Sequence, residues 1–352
     1  MKAVGIDCNL SVLNKSLSGF LGFRVKAETE GVGDGEQVMI PVLNSVMPVV
    51  ETIPFYLNPE DNDSTIDISH LPNEAEITFE YCNNPVWYCL SALPTIYDSD
   101  ILTATGLAHN IYAVSLAKGL AETNPIIADA LKKMQKDETG GKEEKEISIP
   151  FDEETFNKII EKLCALQNPD GGISWLDWQE RESSEYVTYQ VLELLGELRQ
   201  LGFEIIDDKI LNLQKNALSY IEKEQCETLK KMKDKSKGWF KKDIDYIVFS
   251  PYLYLRTLYP ESRFKIQHGC DSILRKTLNV VEKKWRDFSM PTRVYVALSL
   301  YRYNKTKTAK LIMESMRQFA VKDSRRGMFW DNLQTFGYRW YSRTALTAAM
   351  LE

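Results

Sequence analysis

Residues 93–117 read LPTIYDSDILTATGLAHNIYAVSLA. The stretch is a turn, an N-cap and then a long helix of small and apolar residues. A helix that is apolar around its circumference belongs inside a core, among other helices. Its first turn, Leu102-Thr103-Ala104-Thr105-Gly106, is chemically quiet, holding neither a thiol nor a carboxylate. Whether this is plain core helix or the place of a reactive centre decides how the chain is read.

Outward from this segment the same period continues. From about residue 85 onward the pattern is helical, and strand signals nearly vanish. It predicts helices over 101–121, 124–136, 154–166, 184–201, 207–225, 243–258, 269–284, 291–303, 306–321 and 338–350. In YVTYQVLELLGELRQLG (186–202), Val187, Val191, Leu194, Leu195 and Leu198 form one stripe. The charged run 132–150 reads as a solvated loop.

Residues 20–82 have a different character. GFRVKAETE, EQVMIPVLNSVMPVVETIPFYL, STIDISHL and EAEITFEYC alternate or carry β-branched runs, divided by turn clusters such as GVGDGE and NPEDND. The expectation is a β-rich segment over 1–82 and a helical domain over 83–352. Two domains also suit a chain of 352 residues.

A weak recurrence lies between the helices. NPDGGISWLDW (168–178), DKSKGWFKK (234–242) and DSRRGMFWD (323–331) each set glycine beside aromatics after a polar turn. Glycine permits the tight backbone at a helix end, and the aromatic is expected to plug the junction between hairpins. Repeated helical hairpins packed side by side predict a mainly α fold, an α/α toroid of the terpenoid-cyclase-like helical-barrel kind, with a small β-rich N-terminal segment. Periodicity leaves a closed toroid and an open solenoid equally open.

Composition excludes several classes. There are 43 basic against 50 acidic residues, net charge −7, which argues against nucleic acid as the main partner. No apolar run reaches the ~20 residues of a membrane span, and the N-terminus lacks the continuous apolar core of a signal peptide. With Met1 as the true start the chain is expected to stay in the cytoplasm; the ending LTAAMLE stops inside an apolar helical pattern, so a piece of a longer secreted protein is equally expected. Cys8, Cys82, Cys89, Cys164, Cys226 and Cys270 form no C-x-x-C pair and read as buried or half-buried free thiols. His70, His109 and His268 have no ligand spacing, so neither metal nor cofactor is expected; His109, on the apolar helix, reads as a core or interface histidine.

Acidic clusters are the first candidates for catalysis. The D-x-D matches 61–63, 98–100 and 243–245 lack the fuller pattern that a cyclase or a magnesium-dependent prenyl enzyme needs. Asp98 to Asp100 read as a cap of the next helix, and Asp207-Asp208 as the opening of another. In WLDWQERESSEY (175–186), Glu180, Glu182 and Glu185 among Trp175 and Trp178 suit a sugar-cleaving cleft, but equally a loop and a helix first turn. The lysine-rich 229–242 reads as a solvated helix end and loop.

GDGEQVMIPVLNSVMPVVETIPFYL (33–57), YCNNPVWYCLSALPTIYD (81–98), LQNPDGGISWL (166–176), YVTYQVLELLGELRQLG and GMFWDNLQTFGYRWYSRTALTAAMLE (327–352), taken in order, resemble the bacterial branch of the alpha-2-macroglobulin family. The likeness covers about residues 26–352. It implies macroglobulin or CUB-like β strands leading into a thioester domain, an α/α toroid. In that family a Cys-x-Glu-Gln sequence forms an internal thioester that captures proteases. By the resemblance, the cysteine position falls on Thr103 and the Glu-Gln positions on Thr105 and Gly106, which cannot make a thioester. Cys89 lies too far upstream to substitute.

The resemblance therefore implies a thioester-less protein, or a fragment of one, that binds proteins (proteases among them) without catalysis, in the manner of an endopeptidase inhibitor. It also implies a periplasmic or cell-envelope setting, with other macroglobulin domains as partners if the chain is a fragment. Two alternatives stand: a glycosidase or lyase on the same toroid, and a structural or interaction module of the cell envelope.

Overall fold

The computed structural model describes residues 19–42, 49–55, 57, 65–72, 75–82, 86–98, 100–137, 152–178, 181–235, 249–267, 269–323, 327–331 and 343–352. The chain divides into two compact units, Met1–Leu71 and Pro72–Glu352.

In the first unit, β1 (Gly19–Thr29) and β2 (Val32–Val42) form an antiparallel hairpin in register from Gly19↔Val42 to Thr29↔Val32. Only Glu30 and Gly31 make the turn, and Gly31, its second loop residue, takes the φ of 90° that a type II turn places there and that favours glycine. The pairs Leu21↔Ile40 and Phe23↔Val38 put apolar side chains on one face. The expected turn cluster GVGDGE is thus mostly strand, since Gly33 and Gly35 pair with Glu28 and Lys26.

The four-segment β reading of 20–82 does not hold, among the described residues, beyond this hairpin. Among the described residues from 49 to 82 none is in a strand. Alternation marks a chain that suits a half-buried strand, but a strand exists only where a second chain segment supplies its ladder.

The second unit is mainly helical: α1 (Val86–Ile96), α2 (Ala104–Thr123), α3 (Pro125–Asp137), α4 (Glu153–Ala165), α5 (Glu185–Gln200), α6 (Asp208–Lys235), α7 (Ser250–Thr257), α8 (Cys270–Lys284), α9 (Met290–Arg302), α10 (Thr306–Gln318) and α11 (Arg343–Leu351). A short antiparallel pair, β3 (Val321–Asp323) and β4 (Gly327–Phe329), follows α10. Helix starts follow local chemistry. Thr103, Asp152, Ser184 and Asp207 each accept a first-turn N–H from Gly106, Thr155, Val187 and Ile210. Left-handed Gly202 and Asn304 close α5 and α9, with Phe203 N–H donating to Leu198 O and Lys305 N–H to Leu300 O.

The helices pack in two rows. One runs α2, α5, α7, α9, α11, each against the next; the other runs α4, α6, α8; α2·α4, α5·α6 and α7·α8 join them, and α10 packs against α9. Apolar content sorts the rows. The α2 helix buries Ala104, Leu107, Ala108, Ile111, Val114 and Ala117 on several sides, and α7 buries every residue from Tyr252 to Arg256. By contrast α4 buries only Ile159, Ile160 and Leu163, and α10 only Ala309, Ile312 and Met316. Helices apolar on all sides lie between neighbours, whereas amphipathic ones present one stripe inward.

Several expectations change in detail. The α1 helix was not expected, and Pro94 sits inside it. The α6 helix runs ten residues past the expected end at 225, to Lys235. The expected helix 243–258 begins at Ser250 among the described residues, and 338–350 is described from Arg343. The stripe in α5 buries Val187, Val191, Leu195 and Leu198, with Leu194 partly buried against the same core. Of the three glycine–aromatic junctions, 234–242 lies outside the described residues except for the end of α6, and 327–329 is strand rather than loop.

Candidate functional site

The N-terminus of α2 is assembled by three contacts. Asn110, 2% exposed, donates from its side-chain amide to Asp98 O at 2.7 Å and accepts from Asp98 N–H at 2.9 Å. The Thr103 hydroxyl accepts from Gly106 N–H at 3.1 Å, and Ala104 N–H donates to Trp175 O at 2.9 Å. The helix thereby loses two of its free donors, one to its own cap and one to the loop after α4. Gly106 lies beneath Ile101: a Cβ there would stand 2.2 Å from Ile101 Cγ1 and 2.8 Å from the Thr103 hydroxyl.

Thr103, Thr105 and Gly106 are thus one turn of capped helix, all partly buried. Asp98 does not cap this helix, as expected of it. Its carboxylate accepts from Asp100 N–H at 2.9 Å in a turn, and the cap is Thr103. Asp207 does open α6. His109 is exposed rather than in the core, its Nδ1 2.8 Å from Thr105 O. Cys89 is exposed on α1.

The junction between α4 and α5 is a tied polar loop. The Asn168 amide donates to the hydroxyls of Ser174 and Ser183, each at 2.9 Å, and the Ser183 hydroxyl donates to the Asp170 carboxylate at 2.7 Å. Thr188 accepts from Ile173 N–H at 2.8 Å, fixing the loop onto α5. Left-handed Gly171 (φ 91°) lies so close to α6 that a Cβ would stand 2.4 Å from Asn216 O. These hydroxyls and carboxylates spend their hydrogen bonds holding the loop.

The plug of this junction is Ile173, fully buried, and not the tryptophans as expected. Trp175 is 59% exposed and Trp178 is 64% exposed. Glu182 and Glu185 are also exposed, and Glu180 lies outside the described residues. Gln225 donates to the Glu185 carboxylate at 2.6 Å, and the partial loss of solvent on that side, with the neighbouring Glu224 charge, raises its pKa above the usual value. The D-x-D matches 61–63 and 243–245 and His268 lie outside the described residues. His70 pairs with Glu51 at 3.0 Å in the first unit.

A buried polar cluster between α6, α7 and α8 had no sequence signal. Glu222 accepts from Tyr252 OH at 2.9 Å and from Gln267 N–H at 2.8 Å, and it is 1% exposed. Arg256 donates to Phe264 O at 2.9 Å, and its Nη1 stands 3.7 Å from the Glu222 carboxylate, too long for a hydrogen bond. Burial raises the Glu222 pKa, opposed by Gln267 N–H, Arg256 and Tyr252 in that order. A carboxylate and a guanidinium spaced along two helices have no pattern in sequence; only burial makes them notable.

Among the described residues no group of three or more His, Cys, Asp or Glu side chains is placed to hold a metal ion, and no helix is long and apolar enough to cross a membrane. Comparison with protein-family models gives no match, and comparison with curated proteins gives no significant one.

Proposed function

We propose that this chain is an alpha-2-macroglobulin-like protein whose helical unit is an α/α toroid without a thioester, and that it binds proteins, proteases among them, non-covalently and without catalysis. The observation that carries this reading is the first turn of α2. Where the resemblance puts a cysteine and a glutamine, the Thr103 hydroxyl is committed to Gly106 N–H, and Ile101 fills the space a side chain at 106 would need. That turn holds neither a thiol nor a carboxamide from which a thioester could form, so a captured protease would be held by surface contacts alone. The two rows of helices, joined crosswise, support the toroid. By the same resemblance the protein works in the periplasm or cell envelope.

The test is incubation of the chain with a panel of proteases, read by gel filtration and by denaturing electrophoresis. A complex that co-elutes and dissociates in detergent is the expected result. Protease adducts that survive denaturation, or methylamine incorporation near residue 103 with stoichiometric thiol release, would sink it; so would the absence of any complex.

The exposure of Trp175 and Trp178 favours a second reading, a carbohydrate-cleaving surface using Glu180, Glu182 and Glu185. Turnover of any member of a broad glycan panel, abolished by alanine at those three positions, would establish it in place of the first.

A further inference from the structure

Two of the six cysteines, expected as unrelated free thiols, meet in the tertiary structure. Cys226 on α6 and Cys270 at the start of α8 bring their sulfurs to 2.7 Å across 44 positions of chain. A disulfide needs them to close to about 2.0 Å, less than about 1 Å from where they stand. The surroundings hold both residues in place. The Cys270 thiol is fully buried and donates to Glu222 O at 3.0 Å. Leu229, Phe249, Ile273 and Val280 pack about the pair in a small apolar cluster of their own. Left-handed Gly269 (φ 97°) starts α8 with its Cα beside the Cys226 sulfur, where an added Cβ would lie 4.0 Å away. Cys226 is only half-buried and is the more accessible residue of the pair.

We propose that Cys226 and Cys270 form a disulfide that ties α6 to α8, and that the helical unit is built for an oxidising compartment. The oxidant is a low-molecular-weight disulfide, RS–SR. The Cys226 thiolate attacks one of its sulfurs, the RS–SR bond breaks, and a mixed disulfide forms as RS⁻ leaves and takes up the proton Cys226 gave to solvent. Cys270, as thiolate, then attacks the Cys226 sulfur, the second RS⁻ leaves as RSH, and the protein disulfide remains. Two protein thiols are oxidised by two electrons and one small disulfide is reduced to two thiols. Burial pushes the Cys270 thiol well above its usual pKa, so the second step is the slow one. The pairing stands on this geometry and not on the macroglobulin-like reading.

The experiment treats the full chain with glutathione disulfide, digests it without reductant and maps it by mass spectrometry. The expected product is a peptide pair joining Cys226 to Cys270, two hydrogens lighter than the separate peptides. The melting temperature of the oxidised chain should fall by about 5–10 °C on reduction. Cys226→Ser, which leaves the buried Cys270 in place, should remove that difference. Recovery of both cysteines as alkylated thiols, of Cys226 as a lasting glutathione adduct, or of either residue linked to another cysteine overturns the proposal. So does an equal fall in melting temperature on reduction in Cys226→Ser.

Discussion

The side chain of Asn110 grips the backbone of Asp98 from both sides, donating to its carbonyl at 2.7 Å and accepting from its N–H at 2.9 Å. The grip is 12 positions long and holds the linker between α1 and α2 against a buried face of α2. Asn110→Ala removes both bonds and leaves two backbone groups unmatched, and is expected to lower unfolding free energy by about 2–4 kcal/mol. Because the partner is backbone, Asp98→Ala should cost only about 0.5–1 kcal/mol, from its lost turn bond to Asp100. Urea denaturation of the two variants checks the contrast.

Gly106→Ala sets helix propensity against crowding. Alanine gains about 1 kcal/mol over glycine in a helix, but its Cβ would stand 2.2 Å from Ile101 Cγ1, and overpacking costs about 1–3 kcal/mol. The net expectation is a loss of about 1 kcal/mol. In an Ile101→Ala background the same change should be at least about 1 kcal/mol less harmful, which a double-mutant cycle reads directly.

Gly171 and Gly202 share a left-handed backbone but differ in surroundings. A Cβ at 171 meets Asn216 O at 2.4 Å, whereas one at 202 has nothing within 4 Å. Gly202→Ala should therefore cost about 1–2 kcal/mol, for left-handed strain alone. Gly171→Ala should cost more than that by about 1–3 kcal/mol, because α4 and α6 must also move apart. Thermal melts of both variants test the order.

Arg256→Leu leaves Glu222 as an uncompensated buried charge. The expected loss at pH 7 is about 3–5 kcal/mol. The Glu222 pKa, already raised by burial, rises further once the guanidinium that lowers it is gone. Between its ordinary 4.5 and that raised value, the native state holds a proton that the unfolded state has released. Stability then falls as pH rises through this window. Arg256→Leu should accordingly be less destabilised at pH 5 than at pH 7, and adding Glu222→Gln should flatten the difference. Chemical denaturation across that range would show it.

Much of the helical unit was legible because its signals are local. Asp207 and the stripe of α5 stand in the sequence as they stand in the fold, since a cap needs only the next turn and a stripe only its own period. The α1 helix was harder, because Pro94 and a run of Trp, Tyr and Cys obscure its period. Among the described residues the strand readings failed past Val42 for a different reason, as alternation cannot name the partner that makes a strand. Trp175 was misplaced because size suggested a plug, while the neighbouring Ile173 fits the space under α5.

By itself the sequence determined that the chain beyond residue 100 is mainly helical among the described residues, with starts such as that at Asp207 marked by local caps, and that the first turn of α2 holds neither thiol nor glutamine. Those are properties of neighbouring residues, set by backbone hydrogen bonding within one or two turns. Tertiary structure alone decided that Glu222 faces Arg256, that Gly106 lies under Ile101 and that Cys226 meets Cys270. Such pairings depend on which helix faces come together, and that choice belongs to the packing of the whole core.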